Sequence, residues 1–388
     1  MTENQFTQVT SQSWFSRLGG AFKGVLFGLL LFVIAFPLLS WNEGRAVKRY
    51  KTLKEGEGLV VSVASDAVDA INEGALIHVT GKADTQVTLT DPVFGVSAQA
   101  LKLNRVVEMY QWKEDSDSTS KKKVGGKEET TTTYTYAKVW SPEAMDSSMF
   151  QKPAGHENPT AFAYQAIELL ASPVSLGTFT LSPSLVEIIN NPEALTLKAD
   201  TNFIAPEALK GIAEQKGNLF YVGSNSSAPQ IGDLRVSFVE TVPTNISVIA
   251  QQTGNSFIPY QAEAGGRIQL LQVGTHTADE MIQQAITNNK IMTWALRVLG
   301  FFLMLFGLNM IFKPLSVLAD VLPILGKIVS LGTGLVSFLI ALSFSTLTIA
   351  IAWLVFRPVL GISLLVVAGG LTALILWKLK KTPATPAT

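Results

Sequence analysis

The stretch WALRVLGFFLMLFGLNMIF, Trp294 to Phe312, decides the fold, because its one charge, Arg297, stands near its start. A second apolar run lies between Lys327 and Arg357 and contains no Asp, Glu, Lys or Arg. A third, Val359 to Trp377, is uncharged and runs into Lys378, Lys380 and Lys381. At about 1.5 Å of rise per residue, each run is long enough for a hydrocarbon core about 30 Å thick. Lipid offers no partners to backbone N–H and C=O groups, so each run is read as a helix that satisfies its own. Helices of soluble proteins seldom stay apolar around the whole circumference over such a length. The chain reads as an integral membrane protein.

Towards the N-terminus, Gly24 to Trp41 is a further apolar run, with Pro37 near its far end. The polar segment before it is long, and no small-x-small cleavage site precedes Trp41-Asn-Glu-Gly-Arg45, so it reads as an uncleaved anchor. Gly20, Gly24 and Gly28 recur every fourth residue and leave one helix face bare, a helix-packing surface in lipid. The expected class is an α+β membrane protein with four transmembrane helices, one N-terminal and three C-terminal. A large β-rich extramembrane domain lies between the first and second. The expected boundaries are a tail (1–23), the first span (24–41), the domain (42–293), three spans (294–377) and a second tail (378–388). Residues 314–326, apolar except Asp320, are too short to span and read as an interfacial or re-entrant segment. Asn309 is the one amide placed mid-span, where a neighbouring helix would take its hydrogen bond.

Four spans place both termini on one side. The positive-inside count is close to a draw. Arg17, Lys23, Lys313, Lys327 and the terminal lysines stand against Arg45, Lys48, Arg49, Lys51, Lys54 and Lys290, and Arg357 lies in the turn between the last two helices.

Across the 388 residues, hydrophobic content is 47% and charged content 15%, with the polar residues concentrated in the middle. Thirty basic and 30 acidic residues cancel, which argues against a nucleic-acid partner. The absence of cysteine excludes disulfides, thiolate catalysis, iron–sulfur clusters and cysteine zinc sites.

From Leu59 to His276 the text turns to short β-branched runs broken by Gly, Pro, Asn and Asp. Expected strands are Leu59–Val63, Ala75–Gly81, Val87–Thr90, Gln99–Trp112, Tyr134–Trp140, Leu195–Ile204, Leu219–Gly223, Asp233–Thr241, Ile246–Gln251 and Arg267–Val273. Lys113 to Thr133 is charged and of low complexity, and reads as a mobile loop (113–133). The aromatics around it, Trp112 among them, read as cross-strand packing rather than a binding platform. Asn158-Pro159 is expected to open a helix over Thr160–Ala171, and Ser182-Pro183 another. Thr277-x-x-Glu280 is a capping box whose helix is expected to run on through Asn288-Asn289 into the second span. A short likeness between residues 74–81 and 217–223 hints at two copies of one β module.

At Ser40-Trp-Asn-Glu-Gly-Arg-Ala46 the chain resembles the LUMA family, also called transmembrane protein 43. The resemblance continues at Val107-Glu-Met-Tyr-Gln-Trp112, Gly155-His-Glu-Asn-Pro159, Ile231-Gly-Asp-Leu-Arg-Val-Ser-Phe238, Thr293-Trp-Ala-Leu-Arg297, Gly307-Leu-Asn309 and Arg357-Pro358. It implies one span, a large non-cytoplasmic domain and three closing spans, which breaks the topological draw with both tails cytoplasmic. Animal members of the family lie in the endoplasmic reticulum and inner nuclear membrane, self-associate and contact other envelope proteins. The N-terminal tail shows no nuclear targeting signal, so a bacterial member is expected, in the inner membrane with its domain periplasmic. The expected partners are membrane lipids, other copies of the chain and other envelope membrane proteins.

No catalytic centre, metal site or cofactor site is legible. His78, His156 and His276 have no second ligand at metal spacing. His156 beside Glu157 is a suggestive pair, but the helix entry fixed by Asn158-Pro159 explains the motif as well. Asp233 and Arg235 share one strand face and read as an ion pair or strand-edge anchor rather than a catalytic pair. Gly125-Gly-Lys127 has Lys121 where a P-loop needs its first glycine, and Ser118-x-x-Lys121 lies in the same loop, so neither is a site. Glu43 and Arg45, with Lys48, Arg49 and Lys51, sit where the first helix leaves the bilayer and either meet lipid phosphates or snorkel. The expected function is a non-enzymatic membrane scaffold that self-associates and organises envelope proteins or lipids. The alternatives are an envelope enzyme or accessory factor in lipid metabolism, or an oligomeric channel.

Overall fold

The computed structural model describes residues 4–197, 209, 211–363, 366 and 370. It divides into a β-rich unit (residues 1–10, 54–119 and 130–283) and a helical unit (11–53, 120–129 and 284–388). In chain order come strand β1 (Gln5–Gln12), helix α1 (Trp14–Leu59), and strands β2 (Val61–Val63), β3 (Leu76–Asp84), β4 (Leu89–Thr90) and β5 (Ser97–Ala98). A long hairpin follows, β6 (Lys102–Lys122) and β7 (Glu128–Ser141), then β8 (Ile167–Leu170), β9 (Ser175–Leu176) and β10 (Phe179–Thr180). After the short helix α2 (Pro183–Ile188) come β11 (Glu193–Ala194), β12 (Ala213–Lys216), β13 (Leu219–Val222) and β14 (Leu234–Thr241). The chain then forms β15 (Thr244–Thr253), β16 (Ser256–Ile258), β17 (Tyr260–Gln261), β18 (Arg267–Ile268) and β19 (Leu270–Val273). Helices α3 (Ala278–Ala319) and α4 (Pro323–Phe356) follow.

Two large sheets and two two-stranded ribbons, β4-β5 and β17-β18, build the β unit. One large sheet runs β1-β7-β6-β14-β13-β12, with β8 on β6 and β11 on β14. The other runs β19-β15-β16-β10-β9-β3-β2, and β15 also pairs with β3, so five of its strands close into a ring with no free edges. Period-two alternation explains the packing. Leu234, Val236 and Phe238 on β14 are buried while the residues between them are not. Opposite them on β6 stand Met109, Val107 and Arg105. Ile77 and Val79 of β3 and Ile246 and Val248 of β15 belong to the same apolar cluster, so one core serves both sheets. Arg105 is tolerated on that face because both oxygens of buried Asp91 accept from its Nη1 at 2.9 Å. Its Nε donates to the Gln165 carbonyl at 2.8 Å, and its guanidinium lies 5.4 Å from the Phe94 ring centre.

In the helical unit, Ala35 and Leu39 of α1 pack with Met304 and Leu308 of α3 and Ala341 of α4. Gly28 crosses Gly307 so closely that a Cβ on Gly28 would lie 2.6 Å from the Gly307 carbonyl oxygen. Gly24 meets only the end of Met310, and nothing stands within 4 Å of a Cβ on Gly20. The expected glycine face is therefore used at one end.

Several expectations need correction. Lys113–Thr133 forms the outer part of the β6–β7 hairpin, since threonine-rich and charged residues suit a ribbon with no fully buried face. Thr160–Ala171 is irregular chain and then β8, not a helix. Helix α1 continues past Trp41 to Leu59, and α3 runs unbroken from Ala278 through Pro314 to Ala319. Residues 314–326 are thus the last turns of α3, a tight turn and the start of α4. The two short look-alike segments lie in different sheets with different partners and form no tandem repeat. Most of Leu195–Ile204 lies outside the described residues, as does most of the last expected span. Among the described residues, three helices are long and apolar enough to cross a membrane: α1, α3 and α4.

Candidate functional site: buried polar joints and a basic cleft

Asn42, Glu43 and Arg45 stand in sequence at the end of an apolar run, and in the helical unit α1 turns them towards α3 and α4. Glu43 is fully buried. Arg297 of α3 donates to it through Nε at 2.7 Å and Nη2 at 2.9 Å. Trp353 of α4 donates its indole N–H to Oε2 at 2.8 Å. Both carboxylate oxygens are occupied, and the guanidinium also lies 4.8 Å and 5.6 Å from the Trp294 and Trp353 ring centres. Arg45 is spent in the same way. It donates to Asn289 Oδ1 at 3.0 Å, Thr293 Oγ1 at 3.1 Å and Asn42 Oδ1 at 3.2 Å. Asn42 Nδ2 donates to the Thr293 carbonyl, and Asn289 Nδ2 to the Ala46 carbonyl. The network joins three helices through groups that lipid would leave unsatisfied. Arg45 is therefore not the lipid-facing cation its position suggested.

A second joint lies at the other end of α1. Asp320, in the turn between α3 and α4, is fully buried. Arg17 reaches it through Nη2 at 2.5 Å, and Lys122 of the hairpin through Nζ at 2.8 Å. Arg17 Nε also pairs with Glu128 at 2.7 Å, so two cations meet two carboxylates. Trp14 donates to the Val317 carbonyl at 2.8 Å, and the Gly125 N–H to the Val321 carbonyl at 3.0 Å. Gly125 and Gly126 both have positive φ, and a Cβ on Gly126 would collide with the Trp14 ring. The sequence layout put residues 113–133 and Arg17 on opposite membrane faces. Sharing Asp320 puts the hairpin tip with Arg17.

Beside the first joint is a cleft of about 650 Å³, lined by Tyr50 and Lys51 of α1, Lys290 and Trp294 of α3, and Phe356 to Leu360. Arg357 caps α4 here. Lys48 is exposed and Arg49 half-buried on α1. Asn309 is half-buried on α3, and its side chain has no hydrogen bond among the described residues.

The candidates of the β unit each have partners within the fold. Asn158 accepts from the Trp112 N–H at 2.7 Å and donates to the Trp112 carbonyl at 2.9 Å, so it fastens β6 rather than capping a helix. His156 is buried, stacks on Tyr136 at 3.9 Å between ring centres and meets Trp112 edge-on. Its Nδ1 donates to the Lys152 carbonyl at 3.1 Å. Tyr136 donates to Glu114 at 2.7 Å, and burial, reinforced by that carboxylate, pushes its hydroxyl up to about 12. Glu157 accepts from the Gly155 N–H, which lowers its carboxyl below the usual range. A cavity of about 550 Å³ between Trp112, Lys138, Lys152 and His156 opens beside them. Asp233 and Arg235 do not pair with each other. Asp233 takes the Tyr221 hydroxyl and the Gln230 N–H, while Arg235 bonds Glu108 at 2.9 Å and lies 4.3 Å from the Trp140 ring centre. Among the described residues, no group of three His, Asp or Glu has metal-binding geometry.

Comparison with known proteins fits this architecture. Residues 109–358 match the family model described as transmembrane protein 43. The chain is 35% identical to mouse transmembrane protein 43 over 372 residues, covering 92% of this chain and 91% of the relative. It is 34% identical to the human protein, covering 92% and 90%. It is 30% identical to the transmembrane protein 43 homolog of Drosophila melanogaster, covering 88% and 90%. No solved structure matches.

Proposed function

The chain belongs to the transmembrane protein 43 family and is integral to a membrane, and from that premise we propose that it works as a non-enzymatic scaffold. On this reading it self-associates and organises membrane proteins or lipids through its β unit. The observation behind the proposal is the enclosure of Glu43, which is fully buried and whose two oxygens accept three hydrogen bonds from α3 and α4. An acid–base group or a transport relay needs a lone pair or proton within reach of a substrate. Glu43 instead holds helices together, as do Asn42 and Arg45. Self-association has support in β1, which ends the larger sheet, is exposed along most of its length and so presents an open edge.

Gentle solubilisation followed by mass measurement tests the reading. The expected result is an oligomer, or a chain carrying protein or lipid; a strict monomer with neither would contradict it. Alanine at Glu157, Asp233 and Arg235 is expected to leave any activity assigned to the membrane fraction unchanged. Lost turnover in a folded variant would replace the scaffold with an enzyme.

A further inference from the structure

The cleft beside Glu43 holds charge that the joint does not use. Arg297 reaches its wall, but that guanidinium is matched by Glu43. Lys51, Lys290 and Arg357 also line it, and no carboxylate is among its lining residues. These three come from α1, α3 and the end of α4, so the fold brings to one hollow three cations that are remote in sequence. Among the described residues no carboxylate pairs with any of them. Asn289 and Thr293 also line it but are engaged in the joint, and one side of the wall is apolar: Trp294 is 63% exposed, Leu360 52% and Val359 79%, beside Phe356. Exposed tryptophan and tyrosine next to cations, at the point where α3 becomes apolar, mark the level of lipid phosphates.

From this geometry we infer a binding site for an anionic phospholipid. Its phosphate sits among Lys51, Lys290 and Arg357, and an acyl chain lies along Trp294, Phe356 and Leu360. The volume, about 650 Å³, suits a head group and glycerol. Basic hollows between membrane helices recognise such lipids by charge, and the apolar wall separates a lipid from free phosphate. The site needs the chain to be in a membrane but not to self-associate, so it stands whether or not the scaffold reading does.

The test uses the full-length protein, delipidated in detergent, with binding of phosphatidylglycerol and phosphatidylcholine read by native mass spectrometry. Phosphatidylglycerol is expected to be retained and phosphatidylcholine not. Lys51→Gln, Lys290→Gln and Arg357→Gln are each expected to weaken retention about fivefold, and the triple variant on the order of a hundredfold. The single variants at exposed Lys51 and Lys290 keep the test valid if the triple variant misfolds. Inorganic phosphate is expected not to displace the lipid. Equal binding of both lipids, or unchanged retention in the single lysine variants, would overturn the site. Displacement by inorganic phosphate would overturn its assignment to a lipid.

Discussion

Glu43 and Asp320 are both fully buried carboxylates of the helical unit, yet they are held differently. Glu43 meets one cation, Arg297, whose side chain is 12% exposed, and an indole N–H, so its joint is closed inside the helices. Asp320 meets two cations, and one of them, Lys122, is 31% exposed on a hairpin tip. A buried ion pair is costly to break because the survivor keeps its charge without a partner. That penalty falls where the survivor can reach water or a second carboxylate. The first joint should therefore be brittle and the second forgiving.

The largest effect is expected at the first. Arg297→Ala leaves Glu43 unpaired and should destabilise the detergent-solubilised protein by about 3–5 kcal/mol, read by thermal unfolding. Asp320→Asn should cost less, about 1–3 kcal/mol, because Arg17 keeps Glu128. Its clearer sign is faster hydrogen exchange at Gly125 and Gly126, whose N–H groups donate to the Val321 and Lys123 carbonyls. The two variants reversing order would break the comparison.

Backbone approach sharpens it further. Gly28→Ala pushes a methyl into the Gly307 carbonyl and should cost about 1–3 kcal/mol. Gly20→Ala meets nothing within 4 Å and should be neutral or slightly stabilising. Unfolding of the two variants side by side separates a packing glycine from a merely tolerated one.

The smallest effect belongs to the β unit. Burial lowers the His78 pKa below the ordinary histidine value, against a bond from the ring to the His276 carbonyl. The folded unit therefore refuses a proton that the unfolded chain accepts, so stability should fall as pH drops through the ordinary histidine value towards the lower folded one. His78→Gln should flatten that slope between pH about 7.5 and 5.5 in thermal melts.

The same contrast explains what could be read in advance. Leu234, Val236 and Phe238 announce their strand because a half-buried strand alternates, and the apolar runs announce their helices because lipid demands it. The ribbon at Lys113–Thr133 has no buried face, so no period betrays it. Asn158-Pro159 looks like a helix start, but a pairing with Trp112, 46 residues earlier, takes the asparagine instead. The partners of Glu43 are hidden for the same reason, since Arg297 is 254 residues away and Trp353 is 310. The composition of Asn42 to Arg45 marks a polar cluster at a membrane edge, and only tertiary structure says what it holds. Arg105 and Asp91 are silent in the sequence because a charge on a core face has no local signature.

A double-mutant cycle on Glu43→Gln and Arg297→Met tests the joint most directly, with unfolding in detergent as readout. If Glu43 exists to bind α3 to α1, each single variant should be severe and the double variant milder than their sum, with coupling of about 2 kcal/mol or more. Additive losses, with the double variant as unstable as both singles combined, would contradict it.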